Sequence, residues 1–229
     1  MRTKMKNLLK SAGIFALISF LSMGAVSAQD MSIGAALKAS TTGFGGDIVF
    51  QFHERMTARL GYDALSVNYP TTINESDIEF DVDLNYKAGT ILALYDFYLL
   101  KFVYVSAGLG INNFGIYALG EATDGMPYGD ITVPKEKVGS FDITIRPGMK
   151  ISPYLGLGFG RTLGKKLGFG FEIGSFYQGS PDFTIETTGL LAPTSDPELG
   201  QEELLESQFS QYYLYPVIKF SVSYNIYSF

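Results

Sequence analysis

The sequence predicts an all-β chain that closes as an eight-stranded antiparallel up-and-down transmembrane β-barrel. Three observations carry that expectation. First, residues 212–229 read YYLYPVIKFSVSYNIYSF and alternate from Leu214 onward. Leu214, Ile218, Phe220, Val222, Tyr224 and Ile226 share one face, while Lys219, Ser221, Ser223 and Asn225 share the other. A period of two marks a strand with an apolar and a polar side. An aromatic-rich terminal strand of this kind suits the closing strand of an outer-membrane barrel, with lipid outside and a polar lumen inside.

Second, the chain opens like an exported protein. Arg2, Lys4, Lys6 and Lys10 precede an apolar core over 14–21 and a small-residue site, Val26-Ser27-Ala28. This is a Sec-type signal peptide over 1–28, cleaved before Gln29 and leaving one barrel domain over 29–229. The apolar core falls short of the ~20 residues a spanning helix needs. Third, the connections alternate in length. Short ones lie at 53–56, 99–101 and 163–167, and longer ones at 70–77, 121–139 and 189–210. Short periplasmic turns and long outer loops have that rhythm.

Each strand then follows from its alternation. Strand one, over 31–41, sets Ile33, Ala35 and Leu37 against Gly34, Ala36 and Lys38. Strand two, over 45–52, sets Ile48, Phe50 and Phe52 against Asp47, Val49 and Gln51. Strand three, over 57–69, sets Ala58, Leu60 and Tyr62 against Arg59, Gly61 and Asp63. In strand four, over 78–97, Val82, Leu84, Tyr86, Leu92 and Leu94 form the apolar face opposite Asp81, Asp83, Asn85 and Lys87. Strand five, over 102–120, alternates Val103, Val105, Ala107, Leu109 and Ile111 with Tyr104, Ser106, Gly108, Gly110 and Asn112. Strand six runs over 140–162, strand seven over 168–188, and the 212–229 stretch is strand eight. A hairpin hidden in 121–139 would raise the count to ten.

Charge and composition exclude several functions. After cleavage 13 basic residues face 23 acidic ones, a net charge of −10. That disfavours nucleic acid, which needs clustered Lys and Arg. Cysteine is absent, so no disulfide supports the fold. Tryptophan is absent too, leaving 15 Tyr and 18 Phe for the membrane interfaces. The sole histidine, His53, falls in a short turn beside Glu54 and Arg55. A solvated turn residue is a poor general base, so no enzymatic activity, metal or cofactor is expected. The acidic group Asp196, Glu198, Glu202, Glu203 and Glu206 lacks the alternating ligand spacing of a calcium loop.

The polar faces define the candidate lumen. Lys38, Asp47, Gln51, Arg59, Asp63, Asp81, Asp83, Lys87, Glu172 and Lys219 all fall on them. Buried charges persist when paired, so a salt-bridged interior is expected rather than an open pore. Gly108, Gly110, Gly156, Gly158, Gly160, Gly168, Gly170 and Gly174 recur at every second position or nearly so on three successive strands. They make one bare wall, over which Lys38, Gln51, Arg59 and Lys219 from the opposite wall are expected to lie. Pro147, Pro153, Pro181 and Pro216 sit in strands six to eight, where each removes a ladder hydrogen bond. Symmetric pairing would gather them near residue 183. They mark either bulges or a lateral weak point between strands seven and eight.

At strands six and seven the text becomes specific. Pro153-Tyr154-Leu155-Gly156-Leu157-Gly158-Phe159-Gly160 and Gly174-Ser175-Phe176-Tyr177-Gln178-Gly179-Ser180-Pro181 resemble a family of small outer-membrane barrels of Gram-negative bacteria. Arg59-Leu60-Gly61-Tyr62, Tyr215-Pro216-Val217 and Val222-Ser223-Tyr224 extend the likeness over the mature chain. That pattern usually stops at Tyr-x-aromatic, here Tyr224-Asn225-Ile226, so Tyr227-Ser228-Phe229 is an extension needing a bulge to restore its register, unless it lies below the rim. The resemblance implies the outer membrane as location and the barrel as fold. The expected role is structural or surface-interacting, as a monomer whose partners are outer-membrane lipids and, during insertion, the barrel-assembly machinery. The alternative is a binding or passage barrel for a small hydrophobic molecule that exits sideways. A soluble lipocalin-like binder is a third reading.

Overall fold

A computed structural model describes residues 31–75, 78–128, 131–195 and 201–229, and the expected signal segment lies outside them. In chain order the strands are β1 (Ser32–Ser40), β2 (Gly43–His53), β3 (Met56–Glu75), β4 (Ile78–Leu100) and β5 (Val103–Asn112). They continue as β6 (Gly115–Ala122), β7 (Met126–Tyr128), β8 (Ile131–Val133) and β9 (Ser140–Arg146). The last are β10 (Ile151–Gly160), β11 (Leu167–Tyr177), β12 (Asp182–Thr187) and β13 (Leu214–Ser228). Pairing runs β4-β3-β2-β1-β13-β11-β10-β5, and β5 pairs back onto β4. Eight antiparallel strands therefore form a closed ring, with the C-terminus at the end that carries the short turns.

Period-two patterning explains the ring. Outward positions are apolar: Leu37, Phe44, Leu60, Leu155, Phe169 and Phe220 are all exposed. Inward positions on the same strands carry Lys38, Asp47, Arg59, Glu172 and Lys219, all buried. At the C-terminus a bulge between Ile33 and Gly34 shifts the register, pairing Ile33 with Tyr227 and Gly34 with Asn225. That extra residue returns Phe229 to the outward register.

The long strands expected for positions five, six and seven each divide. β5 ends at Asn112 and β6 begins at Gly115; β9 ends at Arg146 and β10 begins at Ile151; β11 ends at Tyr177 and β12 begins at Asp182. Asn113-Phe114, Pro147-Gly148 and Gly179-Ser180-Pro181 interrupt them, and proline removes the amide that a ladder requires. Below the breaks β5, β10 and β11 close the ring. Above them β6, β9 and β12 continue from the upper half of β4 as an open sheet, β12-β9-β6-β4-β3.

Three sequence expectations are corrected here. Residues 70–75 are strand rather than loop, with Pro70 opposite Asp83 and Thr72 opposite Asp81. The 121–139 segment holds the β7–β8 hairpin, but that hairpin is a separate two-stranded sheet and adds nothing to the ring. Strand four is turned over. Leu92 and Leu94 point inward with Asp96 and Tyr98, while Ile91, Tyr95 and Phe97 are exposed. In its upper half Ile78, Phe80 and Val82 bury themselves against Val138, with Phe141 and Leu191 packed beside them. This apolar cluster lies on the inner side of the open sheet. The exposed amides of edge strand β12 are a pairing hazard. The helix Gln201–Phe209 covers that strand, and the Ile185 amide donates to Glu202 Oε1 at 2.7 Å.

Candidate functional site

The candidate site is the interior of the ring, which is filled in layers. At the end with the short turns, the 161–166 connection folds inward. Leu163 is buried against Ala36 and Val49, and the Thr162 amide donates to the Tyr98 hydroxyl at 2.8 Å. Next comes the charged layer. Above it Leu92, Leu94, Tyr154, Phe176 and Val217 form an apolar cluster. Tyr86 and Tyr215 close the top, their hydroxyls 2.9 Å apart, with Phe114 packed at a tilt against Tyr215.

Two joined charge clusters make the middle layer. Lys38 Nζ lies 2.5 Å from Asp47 Oδ1 and 2.8 Å from Asp63 Oδ1. Thr42 donates to Asp63 Oδ2 at 2.8 Å. Arg59 Nη2 donates to Asp96 Oδ1 at 2.7 Å and to Glu172 Oε2 at 2.6 Å. Lys219 Nζ donates to Glu172 Oε1 at 3.1 Å, and the Tyr154 hydroxyl donates to the same oxygen at 2.6 Å. Arg59 Nη1, 3.9 Å from Asp47 Oδ2, joins the halves. Register makes the meeting possible: Glu172 pairs with Lys219 across β11–β13, and Asp47 pairs with Gly61 across β2–β3. Gly61 has no side chain to displace the Asp47 carboxylate lying over it.

Six of the ten sequence-selected polar residues meet here: Lys38, Asp47, Arg59, Asp63, Glu172 and Lys219. Four do not. Asp81, Asp83 and Lys87 are exposed on the outer face of strand four. Their placement in the lumen is corrected because that strand presents its even-numbered residues inward. Gln51 is half-buried near the lower rim and makes no side-chain hydrogen bond to the network among the described residues. Asp96 was missed, and Ser106, set on the inward face of strand five, was not counted in the network. Ser106 donates to Asp96 Oδ1 at 2.5 Å, and pairing across the 99–101 turn, which sets Asp96 opposite Ser106, is the signal that would have found them.

The glycines are covered differently from expectation. A Cβ at Gly158 would overlap the Tyr104 ring, one at Gly156 or Gly174 would meet Tyr154, and one at Gly110 would meet Phe176. Aromatic rings from the glycine wall's own strands lie flat on it, rather than chains from the far wall. The cations then cover the rings: Arg59 lies 5.8 Å from the Tyr104 centroid and Lys219 5.0 Å from that of Tyr154. Gly108 instead backs onto the Ala93 carbonyl, Gly168 onto Ser223 and Gly170 onto Ser221. Gly160 adopts φ 101°, a left-handed conformation that favours glycine where the chain leaves β10.

Of the four prolines only Pro147 and Pro181 gather at one level, close to the expected residue 183. Pro216 pairs with Ser175 and Pro153 with Leu109, while Pro147 and Pro181 flank the break between ring and open sheet. The expected position of Pro216 near residue 183 is corrected, because β12 pairs with β9 instead of β13. Strand seven does leave strand eight above Tyr177. The Gln178 amide still donates to the Tyr213 carbonyl at 2.9 Å, and the tilted rings of Phe183, Phe209 and Tyr212 pack together beyond.

No protein-family model and no curated protein sequence matches the chain. Its fold is similar to the crystal structure of Acinetobacter baumannii CarO, at 18% identity and a TM-score of 0.56, covering 85% of this chain and 97% of that one. It is also similar to that of Acinetobacter baumannii CarO2, at 19% identity and a TM-score of 0.57, covering 86% and 99% respectively. At these identities the likeness is one of fold.

Proposed function

We propose that the chain is an integral outer-membrane β-barrel whose lumen is a packed, salt-bridged core, with a structural or surface-interaction role and no catalysis. Inverted burial carries this reading. Lys219 and Glu172 are 1% exposed, whereas Leu37 is 77% and Phe44 70% exposed. Such a surface on a soluble monomer would aggregate, but it is what a bilayer-facing strand presents. Closure of the ring satisfies the strand amides that lipid cannot solvate. The fold shared with CarO supports the same reading. The role is carried by a monomer that partners outer-membrane lipids after insertion by the barrel-assembly machinery. His53 sits in the lower turn with Nδ1 accepting from the Arg55 amide, away from the interior cluster.

A passage barrel is less well supported. The space among Thr42, Tyr86, Thr90, Asn112, Phe176 and Tyr215 has no room for a water molecule. Among the described residues, a ligand leaving between strands seven and eight would have this filled space behind it.

Fractionation and cysteine labelling test the proposal. The chain is expected in the outer-membrane fraction with heat-modifiable gel mobility. Single cysteines at Thr123 and Ser195 should react with an impermeant reagent on intact cells, and one at Lys165 should not. The reverse labelling would overturn the sidedness. Recovery in the soluble periplasm, with no heat-dependent shift, would overturn the membrane assignment.

A further inference from the structure

Where ring and open sheet part, the outer wall carries a group of cations that the interior does not use. Lys87 on β4 pairs with Gly115 on β6. Because Ile116 pairs with Ile145, Arg146 falls on the other side of Gly115 in the same row. The two cationic positions are thus roughly 10 Å apart, two strand spacings. Gly115 leaves the row bare between them, and the Tyr117 ring lies over it. Lys87 Nζ sits 5.5 Å from the centroid of that ring. Arg146, Lys150, Asn113 and Tyr117 line one cleft of about 330 Å³. Among the described residues none of the three cations forms a salt bridge; Asp182, opposite Arg146, stays beyond 4 Å.

Apolar surface lies directly below. Ile91, Ile111 and Ile151 pair in one row across β4, β5 and β10, all exposed. Ten residues of β4 separate Leu99 from Gly89, roughly 34 Å of strand, or about 26 Å of height at a tilt near 40°. An apolar band is about 25 Å tall, so Lys87 stands just past its upper rim. From the isoleucine row upward the wall therefore offers hydrocarbon contact, then a cationic cleft with amide and phenol donors.

We propose that this cleft binds the phosphate of an anionic outer-leaflet lipid, whose acyl chains lie against Ile91, Ile111 and Ile151. The inference rests on the outer-membrane reading above. A phosphate between Arg146 and Lys150 accepts charge-assisted hydrogen bonds, and Lys87 adds its charge from across Tyr117. The acyl chains supply what a free anion lacks.

The test is native mass spectrometry of the folded, full mature chain in maltoside detergent, with lipid A as probe. Wild-type protein is expected to retain lipid A and to retain its dephosphorylated form much less. Lys87→Gln/Arg146→Gln/Lys150→Gln should lower lipid A retention by roughly 10- to 100-fold. Lys101→Gln/Lys165→Gln/Lys166→Gln, the same charge loss at the opposite rim, should leave it unchanged. If the triple variant does not fold, the three single substitutions, all at exposed side chains, should each lower retention several-fold. Equal retention by wild type and the cleft variants overturns the proposal, as does equal retention of dephosphorylated lipid. Full displacement by millimolar inorganic phosphate would assign the cleft to a free anion and overturn the lipid. Heat-modifiable mobility is read first on every sample. Wild type without it sinks the membrane reading together with this inference, whereas a heat-modifiable protein that ignores lipid A sinks the inference alone.

Discussion

Arg59→Ala is expected to lower stability in detergent by about 3–5 kcal/mol, as removing one partner of a buried ion pair does. For a chain of this size that is a fall of roughly 6–20 °C in Tm. The cause is what remains rather than what is lost. Arg59 Nη2 serves Asp96, Glu172 and Ser106 together. Without it the Asp96 carboxylate, fully buried, keeps one neutral hydroxyl donor and faces Glu172 with no cation between them. Arg59→Lys should fall between wild type and alanine, since an ammonium cannot reproduce the guanidinium fork. Adding Asp96→Asn to Arg59→Ala should recover part of the loss by removing the orphaned charge. Unfolding followed by heat-modifiable mobility reads all four proteins, and an Arg59→Ala ring as stable as wild type would rule the network out as a structural core.

Most strand faces were legible because a short turn carries parity from one strand to the next. Lys38, Asp47 and Arg59 could be set inward once Leu37, Ile48 and Leu60 were outward. Strand four defeated that reasoning because both of its faces are apolar between residues 91 and 97. Ile91, Ala93, Tyr95 and Phe97 compete with Leu92 and Leu94, and Asp96 was the residue that should have decided the sign. The division of strands five to seven was also hidden. Alternation in strand five lapses only at Asn113-Phe114, where Asn113 takes the outward position and Phe114 the inward one, and which neighbour a strand takes above a break depends on contacts distant in sequence. Pro147 and Pro181 did mark the level of the break. Pro216 misled because its partner was counted across a long connection, and residues 182–187, which the count set beside strand eight, pair with β9 instead.

Gly158→Val is expected to disrupt the same charged layer from the opposite side. Gly158 pairs with Glu172 on one neighbouring strand and with Tyr104 on the other. A side chain there would occupy the space of the Tyr104 ring, which is itself 1% exposed and has nowhere to move. Tyr104 also packs tilted against Tyr98, centroids 5.2 Å apart, and donates to Glu172 Oε2 at 3.2 Å. Lifting the ring therefore breaks a hydrogen bond to the central carboxylate and presses on Arg59 above it. Overpacking of this kind costs about 1–3 kcal/mol in a tight core, and the lost hydrogen bond to a charged group adds roughly 1.5–3 kcal/mol. Tyr104→Ala made in the Gly158→Val background should recover stability relative to Gly158→Val alone, because valine then fills part of the space that the ring leaves. Gly89→Ala provides the contrast: its new methyl would meet the Tyr62 hydroxyl at an ordinary 3.5 Å and should change Tm little. If Gly158→Val and Gly89→Ala unfold at the same temperature, the glycine wall is not a seat for aromatic rings, and the recurring glycines need another cause.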